Sequence, residues 1–550
     1  MDDLANWTKN LVVAGITAAL GVCLLQPGPA VATAAAARTV GIAVPPIVAA
    51  PAGKFRGLSA PAYDAFLGIP YAAPPVGALR WQPPQPLPSD PTSLRNARTF
   101  APHCAQPPSA FGKASLSEDC LYLNVFAPHG TTHGSGLPVM VWIHGGAFTV
   151  GESDDYDPDR LIPHGVVVVT LNYRLGLLGF FATPALDGGG GPVVNYGLMD
   201  QQAALAWVKH NIAAFGGDPR RTTIFGESAG GLSVFSQLAS PGARDLFSAA
   251  IDESGAYQLT LPTLAASEAL GTATATALGC PHQTATCLRE VTVTKLLATE
   301  GAMTVPTVDG VVLPLSPAAA FATGHFHRVP IVDGSNHDEY RLFVAADFDL
   351  SPLGPISAGE YPALVTASLG PAAPAVLAQY PLAHYASPDI AFATVVTDYI
   401  FACPALGADA SLAHFTPVYA YQFADEKAPE PYLPPVSFPY EAAHASEIQF
   451  IWDRFGVPNP PLSPVEQHLA GAMTAYWTQF ATAHAPSVGE RPIWDAFAPG
   501  SGNVQSLKPG ETGLSYRFAA EHKCAFWASL EAPAPALHTV EEAVRAFRTR

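Results

Sequence analysis

Basic residues are scarce in this chain. Only 27 Lys and Arg stand against 45 Asp and Glu in 550 residues, a net charge of −18 at pH 7. Proteins that bind nucleic acid neutralise phosphates with Lys and Arg, so this balance excludes a nucleic-acid partner. Charge of either sign is thin, at 13% against a usual share of about 25%. Apolar residues reach 49%, which excludes disorder for most of the chain and supports a large core. The N-terminal apolar run, Leu11–Leu25, falls short of the ~20 residues that a bilayer-spanning helix needs. Gln26, Pro27 and the small-residue tract Ala30–Ala37 follow it, which is the order of a secretory signal. Its basic side is poor, with Asp2 and Asp3 ahead of Lys9. The expectation is a signal over residues 1–37, a secreted mature protein without a membrane span, and one domain over 38–550 with a peripheral tail from about residue 531.

The Cys-x-x-Cys pairs of zinc and thioredoxin-like sites are also missing. Apart from Cys23 the cysteines are Cys104, Cys120, Cys280, Cys287, Cys403 and Cys524. An even number at uneven spacing points to disulfides in an oxidising compartment and leaves their pairing open. His325 and His327 have ligand-like spacing, but no acidic or thiolate cluster adjoins them in sequence, so no metal and no cofactor is expected.

What is present is alternation. Short β-rich runs, Val139–Ile143, Val166–Leu171, Thr223–Phe225, Ala249–Ile251, Val329–Val332 and Val418–Phe423, are mostly bounded by Gly, Pro or Asn. Between two of them Leu198, Leu205, Val208 and Ile212 recur at helical spacing, as do Leu232, Phe235 and Leu238 after Ser228. Strands alternating with helices predict an α/β fold, a large mostly parallel central sheet with helices on both faces.

Two segments carry chemistry. Gly226-Glu227-Ser228-Ala229-Gly230 lies between a strand run and a helix pattern. Gly-x-Ser-x-Gly in that context is a nucleophile elbow, with the serine on a strained turn and amides of the helix N-terminus beside it. Upstream, His144-Gly145-Gly146-Ala147-Phe148 closes another strand run. A Gly-rich turn there can aim backbone amides at a reacting carbonyl oxygen. A serine hydrolase also needs a histidine to take the serine proton and a carboxylate to orient it. Eleven histidines follow Ser228, so position alone does not choose one.

These segments resemble the type-B carboxylesterases, a family that includes bacterial esterases, cholinesterases and the non-catalytic neuroligins. Glu118-Asp119-Cys120-Leu121-Tyr122-Leu123-Asn124-Val125 is similar to its second signature. Phe215-Gly216-Gly217-Asp218-Pro219, Gly68-Ile69-Pro70-Tyr71, Asn172-Tyr173-Arg174 and Asn195-Tyr196-Gly197 fit as well. Thr222 stands where the family usually has an aliphatic residue, and Tyr340 where it has glycine after the acid. The resemblance spans about residues 45–530 and implies an α/β-hydrolase fold and carboxylic-ester hydrolysis. It also implies Ser228 as nucleophile, Glu339 as acid (with neighbouring Asp338 as the competing choice) and His444 as base. The amides of Gly146, Ala147 and Ala229 would form the oxyanion hole. The implied disulfides are Cys104–Cys120, Cys280–Cys287 and Cys403–Cys524, and Arg80 with Glu118 the implied buried ion pair. Glu227 is read as a structural hydrogen-bonding group. The loop between Cys104 and Cys120 lacks the tryptophan that stacks on choline in cholinesterases, so an aromatic site for quaternary ammonium is expected to be missing.

The reading is therefore a secreted serine carboxylesterase acting on small-molecule esters. A lipase for longer-chain acylglycerols and a neuroligin-like binding protein are the alternatives. A pure binding module has no need of Ser228, Glu339 and His444 together. The Gly145-Gly146-Ala147 turn further predicts that some esters of tertiary alcohols fit.

Overall fold

A computed structural model describes residues 45–550 apart from 89, 91, 188–193, 300–304, 531–536 and 549–550. The expected signal over residues 1–37, and Cys23 within it, lie outside the described residues.

Eleven strands form one mixed sheet: β1 (Leu58–Ser59), β2 (Tyr63–Pro70), β3 (Tyr122–Pro128), β4 (Leu137–Ile143), β5 (Val167–Leu171), β6 (Gly217–Glu227), β7 (Ala249–Glu253), β8 (Ile331–Asn336), β9 (Val418–Phe423), β10 (Val504–Leu507) and β11 (Gly513–Ser515). Their spatial order is β11-β10-β9-β8-β7-β6-β4-β5-β3-β2-β1. From β10 to β5 every neighbour is parallel, and both flanks are antiparallel. The predicted mostly parallel sheet is thus its centre. The flanking strands β1–β3, β10 and β11 fall outside the six predicted runs.

The central strands are apolar almost throughout because both faces are covered. Val139, Val141 and Ile143 of β4 pack into one core, while Met140 and Trp142 between them pack into the core on the other face. This is the period-2 alternation of a strand expressed with two buried sides. Thr222 on β6 is fully buried where an aliphatic was expected, and its hydroxyl bonds the Pro219 carbonyl. Helix α1 (Tyr196–Asn211) follows β5, and α2 (Ala229–Ala239) leaves the end of β6. The C-terminal tail forms a helix, Leu537–Arg548, whose Val540 and Val544 are buried in the core.

The three disulfides link Cys104–Cys120, Cys280–Cys287 and Cys403–Cys524, as the resemblance implied. Arg80 and Glu118 form a two-pronged ion pair, with Nε 2.7 Å from Oε2. A smaller sheet of Ile47–Ala50, Gly53–Arg56 and Leu94–Asn96 stands apart from the main one. Gly53–Arg56 alternates buried and exposed, as expected of a sheet with one wet face.

Candidate active site

Chemistry in open α/β sheets collects at the carboxyl ends of parallel strands. Here β6 ends in Glu227 and delivers Ser228, β8 leads into Glu339, and the loop after β9 carries His444.

Ser228 takes φ 56° and ψ −121°, a conformation an L-residue holds only when its surroundings impose it. Its amide donates to the Glu253 carbonyl at 2.8 Å, which fixes the turn. The flanking glycines permit close approach: a Cβ on Gly226 would lie 2.5 Å, and one on Gly230 2.0 Å, from the Ile143 carbonyl oxygen. Sheet, elbow and helix α2 could not meet there with any larger residue. The serine side chain stays half-buried.

The preceding turn is held against the elbow. A Cβ on Gly145 would sit 3.1 Å from Ser228 Cβ. Gly146, Ala147 and Phe148 all have positive φ, at 101°, 53° and 58°. Two carbonyls of the turn are committed: Gly146 O accepts from the amides of Thr149 and Val150, and Gly145 O lies 2.9 Å from His144 Nδ1. Burial pushes the His144 imidazole down to about 4, so it is neutral at pH 7, and its ring stacks on Tyr173 at 4.6 Å. Among the described residues, no acceptor is hydrogen-bonded to the amides of Gly146, Ala147 or Ala229. Three donors beside Ser228 are thus uncommitted.

Glu339 is fully buried. Its Oε1 accepts from the Asn336 amide at 2.7 Å and its Oε2 lies 2.6 Å from His444 Nδ1. A backbone bond from His444 N to Glu339 O, 3.1 Å, holds the two loops together. Asp338 points elsewhere, pairing with His337 at 3.0 Å and Arg341 at 2.9 Å. Tyr340, the departure from the family glycine, has φ −78°, so no glycine is required. Its amide bonds Thr397 Oγ1 at 3.0 Å and its ring stacks on Phe343. Phe343 and Phe401 then flank the His444 ring at 5.1 and 5.3 Å. Phe401 lies in a π-helical turn, Thr397–Ala402, a distortion that often marks functional positions.

His444 Nε2 lies 3.1 Å from Glu227 Oε1, an ion-pair contact without hydrogen-bond alignment. Glu227 thus has an ion-pair contact with His444 beyond the structural role read from the sequence. No Ser228–His444 hydrogen bond is formed among the described residues. Such bonds often tighten only when substrate binds. Burial raises the Glu227 carboxyl to about 8, and likewise Glu447, which hydrogen-bonds Asn336 Nδ2. Burial opposes charging of His444, yet Glu227 and Glu339 outweigh it and push His444 up to about 9.

Two further groups surround the turn. Phe111, from the loop closed by Cys104–Cys120, meets Tyr432 at 5.1 Å, and both line a space with Gly146 and Glu227. The loop therefore supplies an aromatic ring to this space, which the sequence did not announce. His103, Glu152 and Asp154 bring ligand-type atoms within 4.8 Å of one another. Lys113 Nζ, 3.0 Å from Glu152 and 3.1 Å from Asp155, supplies cationic charge there.

The sheet order and the serine, acid and histidine at its strand ends define an α/β hydrolase. Within that class the chain belongs to the carboxylesterase family, whose model matches residues 44–527. It is 36% identical over 464 residues to acylcarnitine hydrolase of Mus musculus, covering 78% of this chain and 80% of that protein. It is 34% identical over 479 residues to para-nitrobenzyl esterase of Bacillus subtilis (strain 168), covering 82% and 92%. The solved structure of a PNB esterase superposes with a TM-score of 0.73 at 32% identity, covering 87% of this chain and 99% of that one. The protein is a carboxylesterase, and the family's substrates are small esters.

Proposed function

We propose that Ser228 is the nucleophile of an acyl-serine mechanism, with His444 its base and Glu339 the acid that orients the base. The observation that carries this reading is the buried 2.6 Å Glu339–His444 contact beside a strained Ser228. With Glu339 on Nδ1–H, Nε2 becomes the proton acceptor for the Ser228 hydroxyl. Ser228 Oγ adds to the ester carbonyl carbon, and the oxyanion takes hydrogen bonds from Gly146, Ala147 and Ala229. Collapse expels the alcohol, protonated by His444, and leaves an acyl ester on Ser228. Water, deprotonated by His444, then releases the acid and restores the serine. Ser228→Ala lowers kcat by at least about a thousandfold while the far-ultraviolet circular dichroism is unchanged. Turnover by the folded variant within tenfold of wild type would refute the assignment.

Export is the companion proposal. Its support is the N-terminal signal pattern and three disulfides, whose persistence favours an oxidising compartment.

The committed carbonyls of Gly145 and Gly146 also support room for branched alcohols, because neither oxygen is left to fill the alcohol side of the pocket. Purified enzyme is expected to hydrolyse tert-butyl acetate more slowly than n-butyl acetate but above a Ser228→Ala blank. Activity on the n-butyl ester alone would count against this pocket reading.

A further inference from the structure

A second cavity shares no residue with the site described above. It has a volume of about 440 Å³, within the ~300–1,000 Å³ of small-molecule pockets. Pro51, Pro70, Pro84, Pro86 and Pro88 contribute to its walls, and their fixed φ makes the shape largely preformed. Phe55 and Trp207 provide aromatic surface, edge to face at 6.4 Å.

The register of the small sheet sets Arg95 opposite Phe55, so both side chains project from the same sheet face. Arg95 lines the cavity and is half-buried, and among the described residues its guanidinium has neither a hydrogen bond nor an ion pair. Arg80, Arg160, Arg174 and Arg341 each meet a carboxylate. Trp207 is only 7% exposed, and its Nε1–H likewise has no acceptor. Leaving the buried Trp207 donor unpaired is costly, and Arg95 sets an uncommitted cation beside it. The lining contains no Asp or Glu that could answer them.

We propose that this cleft is an accessory binding site for a monocarboxylic acid with an apolar body. The carboxylate pairs with Arg95 and the apolar part lies over Phe55 and Trp207. Such acids are also the class of product that ester hydrolysis releases.

Equilibrium dialysis of decanoate below its micellar concentration against the full chain tests the proposal. Two variants isolate the cleft: Arg95→Gln removes the cation, and Leu87→Glu puts a carboxylate on the cavity wall. Wild type should bind one decanoate more than Leu87→Glu does. Arg95→Gln should weaken that extra site roughly ten- to a hundredfold, the range for losing a charge-assisted hydrogen bond. Hydrolysis of p-nitrophenyl acetate should stay within twofold of wild type in both variants, which verifies folding. Equal stoichiometry in wild type and both variants would overturn the site. Decanol binding as tightly as decanoate would overturn the carboxylate assignment.

Discussion

Buried charge is handled in opposite ways on the two sides of this molecule. Behind the turn that follows β5, two carboxylates are each matched by a guanidinium. Arg174 reaches Asp200 through Nε and Nη2, both at 2.7 Å, and Arg80 grips Glu118. At the carboxyl ends of the central strands, Glu227, Asp252, Glu253, Asp333, Glu339, Asp409 and Glu447 are all buried with no Lys or Arg in ion-pair contact among the described residues. Burial pushes Asp252, Asp333 and Asp409 well above the usual carboxyl range, and each pushes on its neighbour. The paired region behaves as scaffold, whereas the acid-rich region sets carboxyls that burial favours in the neutral form close to His444. Perturbed carboxyls of this kind cluster where proton transfer occurs.

Breaking the paired side should do the most damage. Asp200→Ala leaves the Arg174 guanidinium, only 3% exposed, without its partner in the interior. The expected cost is about 3–5 kcal/mol, read as a lower urea midpoint at constant m-value. A loss below about 1 kcal/mol would mean that water or Tyr196, whose ring the guanidinium overlies at 5.2 Å, takes over the role of Asp200.

Neutralising the acid-rich side should do the reverse. The Asp333 carboxyl is raised above its unfolded value by burial, then by Asp409. The stability this group contributes is therefore complete below about pH 4, the unfolded value, and is lost as pH rises through its folded value. Asp333→Asn removes that loss, since an amide has no proton to give up and can donate to Asp252 and Asp409. The variant should be more stable than wild type at pH 8, by about 1–3 kcal/mol, with the advantage fading toward pH 4. Equal stability at both pH values would show that the three acids share no strain.

The two sides also differ in how far the sequence announces them. The elbow, the glycine turn and the parallel strands are local patterns, so Ser228, Gly146 and the β4, β6 and β9 runs are readable directly. Glu339 and His444 needed the family resemblance, because eleven histidines follow Ser228 and nothing local marks one. The outer strands escaped for a physical reason. Tyr63–Pro70 contains Gly68 and ends in proline, and its pairing with β3 shifts register between Phe66 and Ile69. The acid cluster was illegible because only pairing creates it: Asp252 faces Asp333 across β7 and β8, and Asp409 comes from the helix Cys403–Leu412. The Glu227–His444 contact was illegible too, because it joins the end of β6 to a loop more than two hundred residues later.

That contact yields the finest test of the comparison. Glu227 and His444 sit 3.1 Å apart and exchange influence. While Glu227 is protonated it leaves the imidazole alone, and once it ionises, near 8, it holds the imidazolium. The two protons of the pair therefore come off in two steps that belong to the pair rather than to either residue, the second leaving against the pull of ionised Glu227. In the proposed mechanism His444 accepts the serine proton only when unprotonated, so the acid limb of kcat/KM should follow the step that frees it. Glu227→Gln removes the negative charge but keeps the shape, so the limb should move to lower pH. A purely structural role would lower the rate equally at every pH and leave the limb in place. The measurement is the kcat/KM–pH profile of both proteins on a neutral ester whose leaving group does not ionise, and an unmoved limb would decouple Glu227 from the histidine.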